Sequence, residues 1–155
     1  MKILIYILPI MATAQIHLGV GITEISQRED GTMPYYWNVG YNQEVGKFGV
    51  GFNYRATKVL ARNFRSWEFR VTHRIIDGDF KMVLGTGWAF NQEEKDSYPV
   101  VHFRNGINIS DGLDLILDFD NSFRMGGRKR TESYLGLGLA LEYDFIKDVI
   151  IGRQK

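Results

Sequence analysis

Residues 133–145 read SYLGLGLALEYDF, so that Leu135, Leu137, Leu139, Leu141, Tyr143 and Phe145 alternate with Tyr134, Gly136, Gly138, Ala140, Glu142 and Asp144. A period of two over this length places the large apolar side chains on one face of a β-strand and the small or charged ones on the other. In a soluble sandwich the apolar face turns inward and a polar face meets solvent. A row of glycines ending in two carboxylates suits water poorly. It suits the cramped lumen of a strand whose other face touches lipid.

Seven earlier segments repeat the pattern. Ile16, Leu18, Val20 and Ile22 oppose His17, Gly19, Gly21 and Thr23; Trp37, Val39 and Tyr41 oppose Asn38, Gly40 and Asn42; Phe48, Val50, Phe52 and Tyr54 oppose Gly49, Gly51, Asn53 and Arg55. Trp67, Phe69, Val71 and Ile75 face away from Glu68, Arg70, Thr72 and Arg74, and Phe80, Met82, Leu84, Trp88 and Phe90 away from Lys81, Val83, Gly85, Gly87 and Ala89. The last two set Val101, Phe103, Ile107 and Ile109 against His102, Arg104, Gly106 and Asn108, and Leu113, Leu115, Leu117 and Phe119 against Asp114, Ile116, Asp118 and Asp120. No window sustains a helical period, so the chain reads as all-β. Gly46, Gly78 and Gly112 mark tight hairpins, while polar stretches at 25–35, 56–66, 91–99 and 121–132 read as long loops. Short turns on one side, long loops on the other and an even strand count predict an eight-stranded antiparallel up-and-down transmembrane β-barrel.

Aromatic placement gives a further test. Tyr35, Tyr36, Trp37, Tyr54, Trp67, Trp88, Phe90, Tyr98, Phe119 and Tyr134 lie near the long-loop ends, and Tyr41, Phe48, Phe80, Tyr143 and Phe145 near the short turns. Two such belts are expected at the two membrane interfaces. The competing architecture is a soluble, exported lipocalin-like ligand carrier, whose large apolar residues would point into a cavity.

At 155 residues the chain supports one domain, and 19 basic against 18 acidic residues give a net charge of +1, which offers no argument for nucleic acid. With no cysteine there is neither a disulfide framework nor a thiolate metal site, and His17 and His73 stand apart without metal-ligand spacing. No metal and no cofactor is expected. Lys2, the apolar run ILIYILPIM and Ala12-Thr13-Ala14 have the form of a secretory signal peptide, 1–14, leaving a barrel over 15–145 and a periplasmic tail over 146–155.

An eight-stranded lumen is only wide enough for side chains. Centring the hairpin on Asp111 makes facing residues sum to 222, so Arg104 is expected opposite Asp118 and His102 opposite Asp120. Arg104, Asp118, Arg70 and Glu68 are the expected members of lumen ion pairs, together forming an ionic plug rather than an open pore. His102, Asp120 and Ser122 converge near the outer mouth and supply, as residue types, a base, an orienting carboxylate and a nucleophile. His102 and Asp120 also fit a purely structural pair.

The run HFRNGINISDGLDLILDFDNSF, residues 102–123, resembles the penultimate hairpin of the lipid A 3-O-deacylase (acyloxyacyl hydrolase-like) family, eight-stranded outer-membrane barrels in which a strand ends His-x-Ser-Asn. The matching positions here are Asp118, Phe119, Asp120 and Asn121. The resemblance implies the barrel fold; the Asn is kept, but the family's catalytic His and Ser are both aspartate, which opposes deacylation by that mechanism. The overall format also resembles the small adhesion and resistance barrels of the outer-membrane X type. The spacing Gly138-x-x-Leu141-x-Tyr143 followed by Phe145 resembles the C-terminal signal read by the barrel assembly machinery, although 146–155 follow it.

Basic residues cluster in two of the polar stretches: Lys58, Arg62 and Arg65 in one, Arg124, Arg128, Lys129 and Arg130 in the other. Placed above the outer leaflet, they match lipopolysaccharide phosphates, which arginine binds bidentately, and equally the ordinary solubility of exposed loops. The expectation is a monomeric, non-enzymatic barrel in the outer membrane of a Gram-negative bacterium, encoded there or by a phage, acting through its loops in envelope integrity, adhesion or lipopolysaccharide binding. The alternatives are a deacylase-like enzyme on lipid A and the soluble carrier.

Overall fold

The computed structural model describes residues 12–25, 34–59, 62–124 and 130–142. They form eight strands: β1 (Ala12–Ile25), β2 (Tyr35–Val45), β3 (Phe48–Val59), β4 (Arg62–Ile76), β5 (Phe80–Asn91), β6 (Asp96–Ser110), β7 (Leu113–Arg124) and β8 (Arg130–Glu142). Each strand pairs antiparallel with its sequence neighbour, and β1 pairs with β8, closing the barrel without an edge. The turns between β2 and β3 and between β6 and β7 place Gly46 and Gly112 at φ +63° and +78°, which a side chain disfavours. Bulges between Arg74 and Ile76 and between Asn108 and Ser110 lie near the short-turn rim.

The two strand faces are those the alternation requires. Leu18, Val20, Phe69, Leu117, Leu135 and Leu137 are exposed on the outside, while Asn53, Glu68, His102, Asp118 and Asp120 are buried within. This overturns the lipocalin-like alternative, because among the described residues the large apolar side chains point away from the lumen rather than into it. Phe52, Tyr54 and Trp67 pack against one another on the outer face, with ring centroids 5.0 Å apart for Phe52–Trp67 and 4.4 Å for Tyr54–Trp67.

Two expectations need correction. The polar stretches 56–66 and 91–99 are not long loops: β3 continues to Val59 and β4 resumes at Arg62, while β6 begins at Asp96 and pairs it with Asn91. Backbone pairing continues here although the residue types no longer alternate strictly, Val59 and Phe64 standing among Lys58, Arg62, Asn63 and Arg65, so that an apolar–polar alternation cannot reveal the strand. The second correction concerns aromatics: Tyr36, Tyr98 and Tyr134 are buried inside the barrel rather than in an interfacial belt. β1 begins at Ala12, whose partner is Val45, ahead of the expected mature start at Gln15. The rest of the signal segment, residues 1–11, and the stretch 143–155, which carries Tyr143, Phe145 and the tail, lie outside the described residues.

Candidate functional site

The lumen is built by the inward face of each strand, and register decides which side chains meet. His102 lies opposite Asp120 and Arg104 opposite Asp118 across β6 and β7. Arg104 binds Asp118 through two bonds, Nε donating to Oδ1 at 2.6 Å and Nη2 to Oδ2 at 3.0 Å. His102 Nδ1 donates to Asp120 Oδ1, and Arg70 Nη1 lies 3.0 Å from the same ring nitrogen.

Asp120 is the hub of this layer. Arg55 Nη2 donates to its Oδ2, and Arg70 Nη2 donates to the same oxygen at 2.9 Å. The two guanidinium groups also share Glu68, Arg55 Nη1 donating to Oε1 at 2.8 Å and Arg70 Nη2 to Oε2. Asn53 Nδ2 donates to Glu68 Oε2 at 3.1 Å, and His17 Nε2 donates to Asn53 Oδ1 at 3.2 Å. Three arginines, Arg55, Arg70 and Arg104, therefore meet three carboxylates, Glu68, Asp118 and Asp120. A balanced and hydrogen-bonded set is the condition under which buried charges are tolerated.

The sequence assigns Arg55, Asn53 and His17 of this layer no specific role. Arg55 is fully buried, with its guanidinium carbon 4.0 Å from the Tyr134 ring centroid and 5.1 Å from that of Tyr36. The rings meet edge-on at 5.5 Å. The signal that could have found this clamp is the inward parity of Tyr36 and Tyr134, shared with Arg55.

A second layer lies toward the short turns. Lys81 Nζ donates to Asp114 Oδ2 at 2.7 Å and lies 3.6 Å from Glu142 Oε1, and Arg74 pairs with Glu44 and with Asp77. Between and below the layers are cavities of ≈ 30 Å³ and ≈ 20 Å³, each room for one or two waters and no more.

Of the three residues with catalytic chemistry, the structure joins two. His102 and Asp120 touch, but Ser122 lies opposite Val100, is fully buried, and its Oγ bonds neither of them. Asp120 takes up His102 Nδ1, and Arg70 Nη1 lies 3.5 Å from Nε2, the nitrogen that would have to activate a nucleophile. Among the described residues no cluster of His, Cys, Asp or Glu fits a metal ion.

The basic residues divide between opposite sides of the outer rim. Lys58 is the penultimate residue of β3 and Arg62 the first of β4, with Val59 paired to Arg62; Arg124, the last residue of β7, and Arg130, the first of β8, are direct cross-strand partners. Arg65 is exposed and held to the neighbouring connection, its Nε 3.1 Å from Glu93 Oε1 and its backbone N–H donating to Glu93 Oε2 at 2.7 Å. Arg128 and Lys129 lie outside the described residues.

No family model and no curated protein matches the chain. Its fold is similar to solved outer-membrane barrels. These include the outer membrane enzyme PagL (TM-score 0.65, 11% identity, covering 82% of this chain and 98% of that one). Neisserial surface protein A aligns with a TM-score of 0.61 at 10% identity, covering 85% of this chain and 97% of that one. Ail of Yersinia pestis, whose structure was determined in a phospholipid bilayer nanodisc, aligns with a TM-score of 0.54 at 13% identity over 84% of this chain and 99% of its own. At these identities the likeness is one of fold.

Proposed function

We propose that this chain is a non-enzymatic outer-membrane barrel whose lumen is a structural plug and whose work is done at the loop-bearing rim, by binding lipopolysaccharide phosphates. The observation that carries the reading is the filled lumen: its arginines are paired with its carboxylates, and its cavities, ≈ 30 Å³ at most among those described, admit no acyl chain and nothing larger than one or two waters or a small ion. The outward apolar face calls for lipid as its solvent. The outer membrane of a Gram-negative bacterium fits both, whether the gene is bacterial or carried by a phage.

What favours an anion at the rim is the direct pairing of Arg124 with Arg130. Like charges opposite one another on adjacent strands destabilise a hairpin unless something neutralises them, and the sequence between the two arginines includes Arg128 and Lys129. Lipopolysaccharide phosphates supply that charge at that height, in the geometry arginine prefers. Lys58, Arg62 and Arg65 form the second contact region across the rim. Replacing Arg128, Lys129 and Arg130 together by Ala is expected to weaken binding of the nanodisc-embedded barrel to purified lipopolysaccharide by at least about tenfold, or about 1.4 kcal/mol. Unchanged binding would remove the lipopolysaccharide assignment.

A further inference from the structure

Burial of the lumen side chains is graded from one end only. Glu142 is 31% exposed and Lys81 16%, Arg70 falls to 4%, and Arg55 to 1%. Above Arg55 the exposure does not return: Thr23, Val100 and Ser122 are fully buried, and Tyr98 and Asn91 nearly so. The barrel interior therefore meets solvent at the short-turn end and is closed at the other.

The cavities follow the same gradient. The smaller is lined by Arg74, Lys81 and Asp114 of the lower layer, and the larger reaches up to Arg70, Thr72 and His102. Gln15, Glu44, Val83 and Arg104 line both, so the two form successive steps along one path.

The larger cavity also contains two polar atoms without partners. His17 donates through Nε2 to Asn53, which leaves Nδ1 as an acceptor, and Asn42 donates through Nδ2 to Glu44 at 3.0 Å, which leaves Oδ1 as another. Both acceptors are buried and unbonded. Two unsatisfied acceptors on the residues lining a space large enough for water call for a donor that no neighbouring side chain provides, and water supplies two.

We propose that the lumen is a blind vestibule: water and small ions enter from the short-turn end, reach the acceptors of His17 and Asn42 beneath His102, and stop at Arg55. The stopper is the Arg55 guanidinium, held between the Tyr36 and Tyr134 rings and tied below to Glu68 and Asp120. This goes beyond any role of the rim, because it concerns the interior alone and does not depend on lipopolysaccharide binding.

The absence of cysteine from the chain makes single thiols clean reporters. In nanodiscs, where both ends of the barrel are open to solvent, Thr72→Cys and Val83→Cys report the lower lumen, and Ser122→Cys and Val100→Cys the upper. Silver ion is the probe, and protection from later maleimide labelling in denaturant is the readout, with heat-modifiable gel mobility certifying each fold. The lower thiols are expected to react at least about tenfold faster than the upper ones. Equal reaction above and below would show that Arg55 does not stop small ions, and unreactive lower thiols would show a dry interior; either overturns the proposal. The unsubstituted barrel gives a second reading: NMR cross-relaxation from water to His17 and Thr72, but not to Ser122, is expected, and its absence at both sites contradicts the vestibule.

Discussion

Tyr36 lies across Gly136, its hydroxyl filling the place where a Cβ on residue 136 would sit, with ring atom Cζ 3.0 Å from that point. The same ring covers Gly21, Cε1 lying 2.6 Å from the corresponding position. Gly21 and Gly136 are cross-strand partners in the β1–β8 seam, so the tyrosine is seated in the joint that closes the barrel. Gly136→Ala is expected to destabilise the fold by about 1–3 kcal/mol through overpacking against a ring that Tyr134 holds in place. Urea unfolding in lipid vesicles measures this. The Tyr36→Ala and Gly136→Ala double variant should lose less than the two single losses summed, since the ring is gone and only the Val20 carbonyl, 3.1 Å from the Cβ position, stays close.

Asp118→Ala leaves Arg104 buried without its two bonds. The expected loss is about 3–5 kcal/mol, the penalty of an uncompensated buried charge. Replacing both residues by leucine should recover most of it in the same unfolding measurement. A double variant as unstable as the single one would mean that Arg104 is needed by other partners in the lumen.

Ser122 tests the enzymatic alternative directly. Because its buried Oγ has no hydrogen-bond partner, Ser122→Ala is expected to leave stability unchanged or raise it by up to about 1 kcal/mol. Mass spectrometry of lipid A from cells expressing the unsubstituted chain should show the same acylation as the empty-vector control. Loss of acyl chains that depends on Ser122 or His102 would contradict a non-enzymatic barrel.

The rim pair between Arg65 and Glu93 is exposed, so water and salt screen it. Arg65→Ala should cost no more than about 1 kcal/mol, and the effect should shrink as salt is raised. A larger loss would place the connection between β5 and β6 among the elements that hold the barrel together.

Much of this was legible from residue parity. Alternation assigned Leu135 and Leu137 to the outside and Asp118 and Asp120 to the inside, because a strand has only two faces and lipid accepts only one kind of side chain. A single turn position, Asp111, sufficed to bring His102 opposite Asp120. What stayed hidden depends on contacts between strands distant in sequence. Arg55 reaches Asp120 across the lumen from β3 to β7, and no local pattern records which arginine crosses. The extensions to Val59 and from Asp96 were hidden too, because outside lipid a strand need not alternate. Height alone puts Tyr36 and Tyr134 in the belt, whereas their parity puts them inside, where they are buried.

A plugged lumen carries no current, and the proposed role of the rim depends on that. Single-channel recording of the purified barrel in planar lipid bilayers tests it most directly. The ion pairs around Asp120 and the ring clamp on Arg55 predict no large, stable conductance at moderate voltage. Steady, long-lived openings of porin size in the folded, unsubstituted protein would contradict it.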